Sequence, residues 1–327
     1  MKYTQRNDEV EITGVSDFDI EKIFDCGQCF RWSADESGAY TGVAFGRAAT
    51  VRYGNGRSDR SNGSGRSDRS NGSDRTHKNA GCENSVTDSS NTGGNSIFIS
   101  GTVEDFESVW YDYFALDLDY AEIRRGLCVD AFMRKASGHG AGIRILRQDA
   151  WEALCSFIIS QCNNIPRIKK IIALLCERFG GKIKFRGREY YSFPSAERLS
   201  VCSEEDLAPL HCGYRAAYII SAAKAVSCGD LDLLALSHSS PDKARSAFMT
   251  LRGVGNKVAD CAVLYGLHML DSFPLDVWIK RAVAEYYGPG FDPAVYHPFA
   301  GVAQQYMYYY IRSRSAGHSS MGIRDRH

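Results

Sequence analysis

The sequence predicts an α+β chain, with a small antiparallel sheet domain at the N-terminus and a longer, mainly helical domain behind it. Between Glu9 and Thr102, short runs show the two-residue alternation of half-buried strands. From about Val103 onward, apolar residues recur instead at three- and four-residue spacing, as on amphipathic helices. With 327 residues, 44% of them hydrophobic, the chain can bury one large core or two.

Within residues 1–102, VEITGV, AYTGVAFG and ATVRYG read as strands, and DFDIEKIFD reads as a short helix between the first two. Residues 56–64 and 65–73 are identical copies of GRSDRSNGS, and Ser, Asn, Gly and Asp continue to about Asn95. Such a segment cannot bury enough apolar surface to order itself. Residues 55–95 are therefore expected to be a solvated insert in a hairpin loop. SIFISGT then resumes as a strand and closes the first domain.

The second domain is expected over 103–312. In DAWEALCSFIISQCNN, Asp149 suits the N-cap of a strongly apolar helix. Ser240 can cap the next clear helix, PDKARSAFMTL, with Pro241 at the first position, where a missing N–H costs little. PLDVWIKRAVAEYYG follows the same logic, with Asp276 as the cap. The polar tail 313–327, SRSAGHSSMGIRDRH, is expected to fray.

Lys+Arg and Asp+Glu are both 39, so no global positive field draws nucleic acid, although a local basic face is compatible with that balance. The chain has no 18-residue apolar run, and MKYTQRNDEVE lacks a signal-peptide core. A soluble, intracellular protein with no membrane partner is expected. Cys26 and Cys29 form a CGQC pair that invites a zinc or redox reading. No second CxxC or paired histidines complete a zinc site, and the other cysteines, such as Cys155 and Cys176, suit core positions.

The chemistry concentrates in LRGVGNKVADCAVLYGLHMLDSFPLDV, Leu251 to Val277. Gly253 and Gly255 break the helix begun at Pro241, and Asn256 can cap a second one running to about His268. Free N–H groups at that start, with the helix dipole, form an anion site that glycines leave open to a phosphate. A plain turn between packed helices explains the same GxG pattern. Lys257 falls in the first turn of the second helix, where the dipole disfavours an ammonium, as a nucleophilic lysine needs. Asp276 taken alone is a plain cap. Beside a lysine and a phosphate-binding hairpin, its carboxylate also suits a cationic, oxocarbenium-like sugar.

This segment resembles the helix–hairpin–helix, Gly/Pro-rich, Asp-terminated motif of base-excision DNA glycosylases. The closer resemblance is to the 8-oxoguanine DNA glycosylase/lyase family. CGQCFRW (26–32), EALCSFIISQCNNIPRI (152–168), FPSAERL (193–199), GYRAAYI (213–219) and FAGVAQQYMYY (299–309) carry it in the same order along the chain. The resemblance implies a twisted antiparallel sheet packed on helical subdomains, with the helix–hairpin–helix at 242–268. It implies excision of 8-oxoguanine from duplex DNA by base flipping, Schiff-base formation at Lys257 and β-elimination, with Asp276 stabilising the sugar cation. The partner would be duplex DNA containing an oxidised purine, the protein a monomer, and no cofactor would be needed.

The resemblance also assigns pocket and DNA contacts. The Gly27 carbonyl would accept from the N7–H that 8-oxoguanine carries and guanine lacks. Gln304 would read the Watson–Crick face, Cys261 and Tyr308 would sandwich the ring, and Phe30 would pack nearby. Tyr214 would wedge into the vacated stack, while Arg167 and Arg215 would contact the estranged cytosine. Asn163 lies in the same loop, where turn chemistry also explains it. Gly253, Gly255 and Val258 would offer N–H groups to a phosphate, and the carbonyls of Met249, Leu251 and Val254 could hold a structural cation. Departures from the family pattern are Cys162 for its first loop asparagine, Tyr308 for phenylalanine, and Trp278 for the histidine after the catalytic aspartate. Relatives acting on oxidised pyrimidines carry a four-cysteine iron–sulfur cluster after this motif, and no cysteine follows Cys261. An alkylpurine glycosylase using water, a lyase acting mainly on abasic sites, and a non-catalytic helix–hairpin–helix DNA-binding module remain as alternatives.

Overall fold

The structure, a computed structural model, describes residues 1–54 and 96–321. The repeat-bearing insert at 55–95 and the last six positions of the tail lie outside the described residues.

Six strands form one antiparallel sheet: β1 (Lys2–Arg6), β2 (Glu9–Thr13), β3 (Trp32–Ala34), β4 (Tyr40–Ala44), β5 (Arg47–Tyr53) and β6 (Ile97–Ser100), in the order β1-β2-β6-β5-β4-β3. Alternation identified β2, β4, β5 and β6. It did not identify β1, which is exposed at every position, or β3, which is only three residues long. β5 pairs with β6, Tyr53 opposite Ile97, so residues 55–95 join two neighbouring strands. The buried face carries Val10, Ile12, Val51, Ile97 and Ile99. It closes on α1 (Ile20–Asp25), whose Phe24 stacks on Trp32 at 4.2 Å between ring centroids.

The rest of the chain is helical around a larger core, apart from a hairpin, β7 (Lys182–Phe185) and β8 (Arg188–Tyr191), that the helical reading overlooked. Its two-residue turn, Arg186–Gly187, has both φ angles positive, the geometry that suits a two-residue hairpin loop. Five helices frame the site. They are α2 (Ala150–Ile159), α3 (Ile165–Phe179), α4 (Arg215–Ser227), α5 (Pro241–Met249) and α6 (Asn256–Cys261), the last extended by a π-helical segment, Ala262–Gly266. α7 (Val277–Tyr286) and α8 (Ala300–Met321) complete it. Asp149, Ser240 and Asp276 cap their helices as expected. Asn256 does not: Gly255 takes the cap position with no side-chain bond, and Asn256 is the first helical residue. In the tail, where fraying was expected from about Ser313, α8 continues to Met321 and Arg314 donates to the Tyr286 hydroxyl on α7, while positions 322–327 lie outside the described residues.

The two cores are tied together by Arg144. It is 1% exposed and donates to the carbonyls of Ser16 and Asp17 on one side and Phe114, Ala115 and Leu118 on the other. Nearby, His268 places Nε2 3.1 Å from the Ile145 carbonyl, and burial pushes its pKa from 6.5 down to about 4. The unfolded chain therefore binds a proton in that interval that the folded chain refuses. Stability should fall as pH drops from 6.5 towards 4, by roughly 3 kcal/mol in all from this group. His268→Asn, which tolerates the positive φ at this position, should flatten that slope in urea unfolding measured across the interval.

Candidate active site

Five parts of the chain meet at a small cavity of about 60 Å³, lined by Cys26, Gly27, Phe157, Lys257, Cys261, Tyr265, Pro274, Asp276, Gln304, Gln305 and Tyr308. α2 supplies Phe157 as floor. α6 and its π-helical segment supply Lys257, Cys261 and Tyr265. The start of α7 contributes Asp276, α8 contributes the glutamines and Tyr308, and the turn after α1 contributes Cys26 and Gly27.

Lys257 sits at the second position of α6. Its Nζ lies 3.2 Å from Ser160 Oγ and 5.3 Å from the centroid of the Phe157 ring. Asp276 caps α7 by accepting from the N–H groups of Trp278 (2.9 Å) and Ile279 (2.8 Å). Burial holds its carboxyl above the ordinary aspartate range, against the opposing pull of the capping bond from Ile279 and the charge of Lys257. Cys261 is 3% exposed, and burial raises its thiol to about 11, so it presents a neutral sulfur to the cavity. Gln304 is equally buried, and its Oε1 has no hydrogen-bond partner among the described residues. An orphaned acceptor of this kind costs free energy until a donor reaches it.

Gly27 has φ +86, a conformation L side chains rarely adopt, and a Cβ there would lie 3.4 Å from the Tyr308 hydroxyl. Phe30 does not line the cavity; it packs edge-on against Phe157, with centroids 6.0 Å apart. Cys26 and Cys29 are buried core thiols, both raised by desolvation, and Cys26 Sγ is 3.3 Å from the Ile23 carbonyl. Among the described residues no cluster of three His, Cys, Asp or Glu side chains suits a metal ion.

The remaining predicted residues are not among those that line the cavity. Tyr214 is half exposed at the start of α4, edge-on to Tyr218, with the Arg215 guanidinium 4.5 Å from its ring centre. Arg215 itself is 4% exposed and donates to the carbonyls of Gln161, Cys162 and Cys212. Arg167 donates to the His211 carbonyl at 3.2 Å. Asn163 bonds back to the Ile159 carbonyl, whereas its neighbour Asn164 caps α3. Cys162, between these groups, is exposed with φ +47.

In the hairpin, Gly253 has φ +78, and a Cβ there would strike the Tyr218 ring at 2.3 Å. A Cβ on Gly255 would meet nothing within 4 Å, so that face stays open. Val258 turns its side chain into the core, Met249 ends α5, and the Leu251 carbonyl accepts from Val254 N–H at 3.1 Å. Trp278 is half-buried beside Arg281.

Two family models match in tandem. The N-terminal domain of 8-oxoguanine DNA glycosylase covers residues 12–154, and the helix–hairpin–helix, Gly/Pro-rich, Asp superfamily of base-excision repair proteins covers 155–294. The structure of MBOgg1 with a low-affinity DNA ligand is 38% identical over 96% of this chain and 100% of its own, with a TM-score of 0.80.

The chain belongs to the 8-oxoguanine DNA glycosylase family.

A second member, the Clostridium acetobutylicum 8-oxoguanine glycosylase/lyase solved with duplex DNA holding cytosine opposite 8-oxoG, is 31% identical over 96% of this chain and 99% of its own, with a TM-score of 0.80. The N-glycosylase/DNA lyase of Saccharomyces cerevisiae is 39% identical over 181 residues, 52% of this chain and 48% of the yeast protein. The chain spans about half the length of the curated relatives it matches. Family membership accounts for the two-part architecture. Among the described residues no helix is long and apolar enough to cross a membrane.

Sequence reading missed Ser160, Phe157, Tyr265 and Gln305 at the cavity and Tyr218 at the hairpin. Phe157 sits within the apolar run of α2 and Ser160 directly follows it, which gave no reason to separate them from core. Gln305 was distinguishable only as a polar residue inside an otherwise buried helical stretch.

Proposed function

We propose that the chain is a bifunctional DNA glycosylase and abasic-site lyase that removes 8-oxoguanine from duplex DNA. The observation that carries this reading is the meeting of the Lys257 amine, the Asp276 carboxylate and the unpartnered Gln304 Oε1 at one small cavity. The target nucleotide is flipped out of the stack, with Tyr214 filling the gap. Gln304 then reads the Watson–Crick edge, while Cys261 and Tyr308 take the two faces of the ring.

The Gly27 carbonyl accepts from N7–H, which guanine lacks. Against guanine the same oxygen would face a lone pair, so one proton separates damaged from undamaged base. The Lys257 nitrogen attacks C1′ through its lone pair, the N-glycosidic bond breaks, and the electron pair of that bond leaves on the base. Asp276 stabilises the positive charge that builds on the sugar. Loss of a proton from the nitrogen and opening of the ring give a Schiff base. Removal of a C2′ proton then expels the 3′ phosphate by β-elimination and nicks the strand. The hairpin N–H groups around Gly253, Gly255 and Val258 hold a backbone phosphate. Arg167 and Arg215 exchange their present carbonyl acceptors for the estranged cytosine.

Borohydride added during incubation with an 8-oxoguanine:cytosine duplex should trap a covalent protein–DNA adduct. An undamaged duplex of the same sequence should give none. Binding without any adduct would remove the lyase half of the proposal and favour a glycosylase that uses water.

A further inference from the structure

Gly27 lies in a turn whose neighbouring peptide groups are each fastened by a glutamine. On the near side, Gln305 Nε2 donates to the Cys26 carbonyl at 3.0 Å, and Gln305 Oε1 accepts from the Tyr265 hydroxyl. On the far side, Gln148 Nε2 donates to the Gln28 carbonyl at 2.8 Å. The Gln28 side chain completes the fastening from behind: Nε2 reaches the carbonyls of Ile23 (2.9 Å) and Arg144 (2.8 Å), and Oε1 accepts from Leu146 N–H (2.9 Å). Between these anchored peptides, the Gly27 carbonyl accepts no hydrogen bond among the described residues. Its direction is therefore set by the planes on either side and by the positive φ of Gly27.

Gln305 differs from the other two glutamines in what it joins. It is 1% exposed and reaches from α8 to the turn after α1, 279 positions away in sequence. Its other end holds Tyr265, which stacks on Phe157 with centroids 5.1 Å apart and planes 18° apart. Phe157 is the ring beneath the Lys257 amine. Gln305 thus links the Gly27 turn to the floor of the cavity without needing to touch a base itself.

We infer that Gln305, held by Tyr265, is a positioning residue that aims the Gly27 carbonyl and so sets selectivity for the damaged base. This rests on the proposed 8-oxoguanine activity, since only there does the Gly27 carbonyl read a proton. A brace that aims an acceptor should affect release of the base more than cleavage at a site where the base is already gone.

The test compares wild type, Gln305→Leu and Tyr265→Phe on two duplexes, one with 8-oxoguanine opposite cytosine and one with a preformed abasic site. Single-turnover base release and strand cleavage are measured separately, with thermal unfolding alongside. For Gln305→Leu the ratio of base release to abasic-site cleavage should fall about tenfold, the scale of one or two lost hydrogen bonds. Tyr265→Phe, which frees only the far end of the brace, should lower the ratio by a smaller factor. A ratio unchanged in Gln305→Leu, whether both rates fall together or neither moves, overturns the inference. If wild type cleaves the abasic duplex but releases no 8-oxoguanine, the substrate reading fails and the selectivity role fails with it. Equal release by wild type and Gln305→Leu removes the brace alone.

Discussion

Lys257→Gln should abolish the borohydride-trapped adduct and lower base release by about a thousandfold or more, the effect of deleting a covalent nucleophile. Glutamine is a close match in length and still offers a donor to Ser160 Oγ, so the packing against Phe157 persists. Affinity for the lesion duplex should change little, because the lost interaction develops only as the C1′ bond forms. Gel separation of trapped complexes, single-turnover release and a binding titration together check this. An adduct surviving in the variant would move the nucleophile to another amine. A loss of binding equal to the loss of rate would mean that the side chain holds the substrate rather than attacks it.

Asp276→Asn tests charge apart from architecture. Asparagine is as good an N-cap as aspartate, and its carbonyl oxygen can still accept from Trp278 and Ile279, so α7 should keep its start. What disappears is the negative charge that the proposed mechanism sets against the sugar cation. Base release should fall about 10²–10³-fold with unfolding behaviour close to wild type. The pH profile supplies a second reading. The carboxyl must be ionised to stabilise a cation, and burial places its titration above the ordinary aspartate range. Wild-type activity should therefore begin to fall at a less acidic pH than a solvent-exposed aspartate would give, and Asp276→Asn should lose that limb. A variant with nearly full activity would leave Asp276 as a helix cap and nothing more.

Local features were the legible part of this chain. A cap needs only one side chain and the N–H groups two or three positions later, so Asp149, Ser240 and Asp276 could be placed from neighbouring residues. Four strands were legible because one face of each meets the core, and β1 was not because neither face does. Asn256 looked like a cap because its residue type favours that position. Backbone geometry gave the position to Gly255, and that leaves the start of α6 without a side-chain cap.

At the site, the family resemblance pointed to residues that line the cavity, including Lys257, Asp276, Gln304 and Gly27. The residues behind them were not legible. Gln305 to Cys26 and Lys257 to Ser160 join positions 279 and 97 apart, and helical periodicity reports which face is buried but not which side chain waits opposite.

The narrowness of the cavity bears on how the protein searches. An engineered cavity of roughly 150 Å³ holds a single benzene ring, and the space here is about 60 Å³, too little for a bicyclic purine. Admitting a whole purine would require the lining residues to move. On the proposed function, that movement would be required for each base that leaves the stack, whether or not it is damaged. On the same reading, guanine, with no proton to offer the Gly27 oxygen, would gain less from that movement than 8-oxoguanine. Fidelity would then be partly a matter of timing, with the lifetime of the widened cavity set by the bonds the visiting base can make.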